Sequence, residues 1–172
     1  MNHNIVLQTR KNLKQIIRIM LQTMFVGCNA CGIVVESPTG VVDANQNWVI
    51  IEENQAEDMG IGAWLLHSDD FWTPSTDDIL RLEEGVAEYL RQNSGAFYRQ
   101  PPVWERLDEY RRQYIGYAIE GKKIIYGNFF CSEEDNWQQE FVMVIDGGDC
   151  YFQVKYDVES GKFIYLAVNG EV

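Results

Sequence analysis

The spacing of apolar residues predicts one amphipathic helix in the middle of the chain. Apolar side chains recur there every three or four positions, which is the period of a helix with one buried face. The predicted buried stripe is Ile79, Leu82, Val86, Tyr89 and Leu90. Thr73 and Pro74 suit the start of this helix. Ser75 with Asp78 forms an alternative capping box in a later register, and we expect the helix to end at Asn93.

After Pro102 the pattern changes from helical to strand-like. Runs rich in β-branched and aromatic residues, separated by turn residues, predict five strands. They are 110–119, 122–131, 139–145, 150–156 and 163–168. Glu120-Gly121 and the turn that ends at Gly161 are hairpin signals, with glycine where a left-handed residue is needed. One more apolar run, Trp48-Val49-Ile50-Ile51, is a candidate strand upstream of the helix.

Together these elements predict an α+β fold, with one long amphipathic helix packed on a five-stranded antiparallel meander sheet. The order of elements is cystatin-like by analogy, and architecture alone carries no activity. In a strict meander the second and fourth strands run parallel. Cys131 and Cys150 would then lie near opposite ends of the sheet, on the order of 20 Å apart. We therefore expect them not to form a disulfide.

Charge is unevenly distributed along the chain. There are 26 acidic and 14 basic residues, a net charge of -12, yet no acid precedes Glu36. The N-terminal segment is cationic, with Arg10, Lys11, Lys14 and Arg18. An acidic body disfavours nucleic-acid binding, because phosphates need neutralisation by lysine and arginine. The 46% of hydrophobic residues is typical of a folded globular domain, which excludes a disordered chain.

The first 27 residues have the layout of a secretory signal, with a basic start, a short apolar run and a small residue before the cut. Phe25-Val26-Gly27-Cys28 resembles a bacterial lipobox, in which Cys28 is the lipidated residue. We therefore predict a lipoprotein signal over 1–27, a tether over 28–47 and a single α+β domain over 48–172. The lipid is the expected membrane anchor, because the apolar run is shorter than the roughly 20 residues of a spanning helix. The alternative is an uncleaved amphipathic N-terminal helix.

Several short segments together carry a family resemblance. They are Gln113-Tyr114-Ile115-Gly116, 125–131, Asp146-Gly147-Gly148, 154–157 and Asn169-Gly170, with 72–75 at the predicted helix start. These segments resemble an uncharacterised bacterial family, many of whose members have lipoprotein-type signals. The resemblance covers roughly residues 70–172. It implies a single domain and carries no known activity.

Residue types that support catalysis are scarce. His67 is the single histidine after the predicted signal, and its polar neighbours at 68–70 are adjacent in sequence rather than drawn from separate elements. Asp146 and Asp149 flank a Gly-Gly turn, where aspartate commonly binds backbone amides. We predict no catalytic residues, no metal ligands and no cofactor. Composition leaves a small paired-carboxylate hydrolase as an alternative.

Aromatic residues exceed the needs of a small core, and an aromatic sheet face is a common recognition surface. The binding candidates are Trp72, Trp104, Trp137, Tyr114, Tyr126 and Tyr151, within a wider group that includes Tyr110, Tyr117 and Tyr165. The alternative is that these rings pack the helix against the sheet.

These patterns predict a non-enzymatic binding module, anchored to a membrane by lipid and facing the periplasm or the cell surface. Its partner would be a protein or a small ligand. The alternative is a cytoplasmic, acidic, immunity- or inhibitor-like partner of a basic protein, which the net charge would steer into contact.

Overall fold

A mixed sheet of six strands and a few helices make up the α+β fold. The structure is a computed structural model that describes residues 47–68 and 70–170. The strands are β1 (Trp48–Ile51), β2 (Phe71–Trp72), β3 (Arg111–Ile119), β4 (Lys122–Phe130), β5 (Tyr151–Asp157) and β6 (Lys162–Val168). The α-helices are α1 (Glu53–Asp58) and α2 (Thr76–Gln92), with a π-helical turn at Gly62–Leu66 between them. Short 3-10 turns cover Ser94–Ala96, Val103–Glu105, Leu107–Glu109 and Gly148–Cys150.

The strand order is β1-β3-β4-β5-β6, and β2 also pairs with β3. The predicted strand at 48–51 is confirmed, but it runs parallel to β3. The chain between β1 and β3 includes α2 and is long enough for the crossover that a parallel pair needs. β2, which had no sequence signal of its own, pairs antiparallel with β3 through Phe71 and Trp72. The prediction of a purely antiparallel sheet of five strands is therefore wrong.

The predicted third strand, 139–145, is irregular instead. Its backbone groups are bound by side-chain amides of the sheet. Gln113 Nε2 donates to the Trp137 carbonyl at 2.5 Å, and Gln113 Oε1 accepts from the Val142 N–H at 2.9 Å. Asn128 Nδ2 donates to the Val142 carbonyl at 2.8 Å. A segment whose backbone is satisfied by side chains needs no neighbouring strand.

Without that strand, β4 and β5 are direct neighbours, paired antiparallel with Phe130 opposite Tyr151. This register puts Cys131 beside Cys150, with their Cα atoms 5.1 Å apart, and the two form a disulfide. The prediction that the two cysteines stay apart is therefore wrong, because the predicted third strand does not form between β4 and β5.

Helix α2 forms where the apolar spacing predicts it. Its start follows the later register, because Ser75 is the N-cap and its Oγ accepts from the Asp78 N–H at 3.2 Å. Asp78 Oδ2 accepts in return from the Ser75 N–H at 3.0 Å, which completes the capping box. Thr73 instead accepts from the Glu53 N–H at 3.0 Å and so links α1 to the chain before α2. At 17 residues α2 is of ordinary length, so "long" overstates it.

The side of the sheet that contacts α2, here called the first face, carries the main apolar core. The α2 residues Ile79, Leu82, Val86 and Leu90 are each at most 1% exposed. They pack with Tyr110, Tyr114, Ile125, Phe129, Phe152, Val154 and Tyr156. At Gly116 the Trp72 indole crosses β3 so closely that a Cβ would lie 2.8 Å from its Cε2 atom. Glycine is therefore required there.

The opposite side, here called the second face, is covered in two pieces. At one end α1, the π-helical turn and the residue before that turn bury Ala56, Ile61 and Leu66 against Ile115, Tyr117, Ile124 and Tyr126. At the other end the irregular segment lies over Gln113 and Asn128. The part of this face over β5 and β6 is more open, since Tyr165 is 44% exposed.

Candidate ligand-binding site

A lysine surrounded by tyrosines lies on the open part of the second face. The strand register makes Tyr126, Lys155 and Tyr165 direct cross-strand neighbours on β4, β5 and β6. The Lys155 Nζ atom is 5.0 Å from the ring centroid of Tyr165 and 5.8 Å from that of Tyr117. These four residues are called the lysine-tyrosine patch.

Lys155 has no carboxylate within ion-pairing distance among residues 47–68 and 70–170. Partial burial lowers the pKa of its ammonium group, because the charged form loses hydration. The two tyrosine rings offset part of that loss through cation-π contacts. Lys155 is therefore a partly desolvated cation without a negative partner in the described chain.

The tyrosines of the patch are hydrogen-bond donors without an acceptor among residues 47–68 and 70–170. None of the three phenols donates to another residue in the described part of the chain. Burial raises the pKa of Tyr117 to about 12. Burial, and after it the nearby phenols of Tyr165 and Tyr117, raises the pKa of Tyr126 well above its ordinary value. Tyr117 and Tyr126 therefore stay protonated at neutral pH and keep their O–H groups as donors.

One rim of the patch belongs to the irregular segment. The Phe141 ring packs against Tyr126, with centroids 6.4 Å apart. Besides the amides of β3 and β4, Asn169 after β6 fastens this segment, donating to the Val144 carbonyl at 2.6 Å. The rim is thus fixed at three positions, two on the sheet and one directly after β6.

A separate depression of about 480 Å³ lies beside the 3-10 turn before β5, between Ala96, Tyr98 and Asp149. Asp149 is fully buried, and its Oδ2 accepts from the N–H groups of Tyr98 and Arg99 at 2.8 and 2.6 Å. Its backbone carbonyl accepts from the Tyr110 hydroxyl at 2.7 Å. Asp149 therefore links its own turn to two segments that lie 39 to 51 residues away in sequence.

Beneath α2, Glu83, Arg112 and Tyr114 form a polar network. The Tyr114 hydroxyl donates to Glu83 Oε1 at 2.5 Å. Arg112 Nε lies 3.2 Å from the same oxygen, close enough for an ion pair but not aligned for a hydrogen bond. Burial, and then the Glu83 carboxylate, raises the pKa of Tyr114 well above its ordinary value. Because it lies between helix and sheet, the network fixes α2 in place.

The six aromatic candidates do not meet on one surface. Tyr126 belongs to the lysine-tyrosine patch, whereas Tyr114 is fully buried under α2. Trp72 crosses β3 and its Nε1 donates to the Tyr117 carbonyl at 3.2 Å. Lys123 lies over the Trp72 ring, with Nζ 4.4 Å from the centroid.

The remaining candidates contact neighbouring elements. Trp104 meets Phe97 edge to face at 6.4 Å between ring centroids. Trp137 meets Phe130 in the same way at 5.9 Å. The Tyr151 hydroxyl donates to Glu134 at 3.3 Å. A role in binding stays a prediction for each of them.

His67 and Cys28 are the two other residues that the sequence singles out. His67 is exposed, and the adjacent Ser68 hydroxyl donates to the Ala118 carbonyl at 2.6 Å rather than to the imidazole. Cys28, the predicted lipidation site, lies outside the described residues, as do the predicted signal and the tether up to residue 46.

Lys155 is not among the binding candidates predicted from the sequence, although the alternation of side chains in its strand indicates its position. In β5 the side chains of Phe152, Val154 and Tyr156 point to the first face, so the alternation places Lys155 on the second. A lysine in the middle of a strand paired on both sides indicates a partly buried cation.

No family model, curated protein or solved structure matches this chain. Within the described residues, no helix combines the length and the apolar character that crossing a bilayer requires.

Proposed function

We propose that this protein is an extracytoplasmic, lipid-anchored binding module without enzymatic activity, whose ligand contacts the second face of the sheet. The observation that carries the location is the Cys131–Cys150 disulfide. Disulfides persist in oxidising compartments and are rare in the cytosol. A disulfide in the body therefore agrees with the lipobox at Cys28.

The binding role is supported by the composition of the second face. Its open part holds a cation without an acidic partner and phenols without acceptors in the described chain. The Lys155 ammonium and the Tyr117 and Tyr126 hydroxyls are not among the fully buried polar atoms without a partner, so solvent reaches them and a ligand can replace it. The first face has no such opening at its centre, because α2 covers it.

Metabolic labelling with a fatty acid tests the anchor. We expect the wild-type protein to incorporate label and to fractionate with membranes, and Cys28→Ser to do neither. Cys31→Ser is the matched control, because it removes a nearby cysteine outside the lipobox. A wild-type protein that takes up no label and remains in the cytosol would contradict this location.

The second candidate is a cytoplasmic, immunity- or inhibitor-like partner of a basic protein. The net charge of -12 favours it, because such a charge accelerates association with a cationic partner. It predicts free thiols at Cys131 and Cys150 in cells. Alkylation of a rapid acid-quenched lysate separates the two candidates, since an extracytoplasmic protein would leave both cysteines unmodified until reduced.

The carboxylate hydrolase has less support. The depression beside Asp149 is lined by this one carboxylate among the described residues, and a paired-acid mechanism needs two. Both hydrogen bonds to its Oδ2 come from the protein backbone.

A further inference from the structure

The lysine-tyrosine patch presents a positive charge together with hydrogen-bond donors. It combines the ammonium of Lys155 with phenol O–H groups, and neither kind of donor has a protein acceptor in the described chain. Building on the binding function proposed above, we propose that the patch binds the carboxylate group of a small ligand whose apolar part lies against the exposed ring of Tyr165.

An anion is the complement of these donors. A carboxylate offers only acceptor positions when ionised, and a hydrogen bond between charged partners is about twice as strong as a neutral one. Binding would also return a charged partner to an ammonium that burial has partly desolvated.

The charge balance favours a singly charged anion. One ammonium neutralises one negative charge, and the chain as a whole carries -12. A phosphate monoester, which carries more than one charge at neutral pH, would leave an excess negative charge in an acidic protein. The carboxylate class therefore fits better than phosphate.

The nearest acid on the same strand does not occupy this position. Asp157 lies two residues beyond Lys155 on the same face, and its Oδ1 accepts from the N–H groups of Glu159 and Ser160 at 3.0 and 3.2 Å. These turn hydrogen bonds lower the pKa of Asp157, and its strand partner is Lys162. Asp157 is therefore engaged by its own hairpin.

The exposed ring of Tyr165 is the reason that we expect the ligand to have an apolar part. Tyr165 is 44% exposed, while Tyr117 and Tyr126 are 2% and 4% exposed. A carboxylate at Lys155 would thus have an open aromatic ring beside it, and rings stack readily on flat apolar groups.

The test is a titration of the ¹⁵N-labelled full chain with sodium benzoate at constant ionic strength, followed through backbone amide shifts. Benzyl alcohol is the matched neutral probe, since it keeps the ring and lacks the charge. The variant is Lys155→Met, which keeps the apolar stem of the side chain. Lys123→Met is its control, because Lys123 also lies over an aromatic ring but is exposed.

We expect benzoate to shift the amide signals of Tyr126, Lys155 and Tyr165 saturably. The Kd should be on the order of millimolar, because benzoate is a small ligand with few atoms. Lys155→Met should weaken binding roughly tenfold or more, because it removes a charge-assisted hydrogen bond. Lys123→Met should bind like wild type. Dispersed amide spectra for both variants would show that each is folded.

Three results would overturn the proposal. They are an absence of saturable shifts at these amides, retention of benzoate binding by Lys155→Met, and equal shifts with benzyl alcohol. The last result would leave the binding face intact and reject only its preference for carboxylate. Failure of fatty-acid labelling, in contrast, would reject the proposed location and leave the benzoate result unaffected.

Discussion

The two faces of the sheet are covered by different means, although β3, β4 and β5 contribute to both. The first face is covered by α2 through a continuous apolar contact, supplemented by the Glu83, Arg112 and Tyr114 network. Over Gln113 and Asn128 the second face is covered by an irregular segment that hydrogen bonds to amide side chains. An apolar cover of this kind closes the face, whereas a cover fastened at a few points leaves room for a ligand beside it.

This difference also separates stability from function. The larger of the two apolar cores lies on the first face, and burial of apolar side chains is the dominant favourable term in folding. The polar groups of the second face contribute less per residue, and those of the lysine-tyrosine patch have no ion-pair or hydrogen-bond partner in residues 47–68 and 70–170. Substitutions on the first face should therefore destabilise the protein, and substitutions on the open part of the second should alter binding.

The largest effect should come from the first face. Leu82 is fully buried in the α2 stripe, so Leu82→Ala should reduce the free energy of unfolding by about 2–5 kcal/mol through lost burial and a cavity. Leu80 lies in the same helix and is 48% exposed, so Leu80→Ala should change it far less. Urea unfolding followed by circular dichroism measures both. Equal losses for the two variants would mean that α2 does not pack as described.

Removing the disulfide should have the next largest effect. The double variant Cys131→Ser with Cys150→Ser opens a loop whose ends are 19 residues apart, and should cost about 3 kcal/mol. Chemical unfolding with and without a reducing agent measures this. Reduction should destabilise the wild type to the same extent and leave the double variant unchanged. A wild type insensitive to reduction would contradict the pairing of these cysteines.

The amide fastening of the second face should be weaker again. Gln113→Ala removes the donor to Trp137 and the acceptor of the Val142 N–H, and should cost about 1–3 kcal/mol. Hydrogen exchange of the Val142 amide should become faster in this variant, because its protection is local. Gln139→Ala is the control, since Gln139 is exposed in the same segment. Unchanged exchange at Val142 would show that Gln113 does not hold the segment.

The elements with a clear local pattern could be predicted from the sequence. The stripe from Ile79 to Leu90 has the helical period, and all four of its buried members contact the sheet. The β3–β4 hairpin follows from Glu120-Gly121, where both residues adopt positive φ, 51° and 80°. In both cases residues close in sequence determine the structure.

The irregular segment could not be predicted in the same way, because its conformation depends on residues far along the chain. Its apolar run, Phe141-Val142-Met143-Val144-Ile145, has the composition of a strand. It does not form a strand, because Gln113 on β3 and Asn128 on β4 hydrogen bond to the backbone of Val142. Two amides within apolar strands were the available signal, since buried amides need partners.

The wrong prediction of a strand over 139–145 is also the reason that the lysine-tyrosine patch was not predicted. An additional strand between β4 and β5 would separate Tyr126 from Lys155, which are in fact direct neighbours. The alternation in β5 assigns Lys155 to a face, but only the pairing of β4 with β5 and β6 surrounds it with tyrosines. A site assembled across strands follows from their order, which the sequence pattern did not determine.

The smallest predicted effect concerns the start of α2 and depends on pH. Burial opposes ionisation of Asp78, but hydrogen bonds from Ser75 and the contact with Arg81 outweigh it, so the pKa of this carboxyl is lowered from 3.8. A carboxyl with a lowered pKa in the folded state stabilises the protein above its unfolded pKa, and this contribution disappears as pH falls through the folded value. Asp78→Asn should therefore lose about 0.5–1 kcal/mol at pH 7, measured by urea unfolding, and the deficit should shrink below pH 4. Asp77→Asn, in the same first turn, should lose less stability, because Asp77 lacks the bonds to Ser75. If the deficit of Asp78→Asn were constant from pH 7 to pH 3, it would come from the changed shape of the side chain and not from the lost charge.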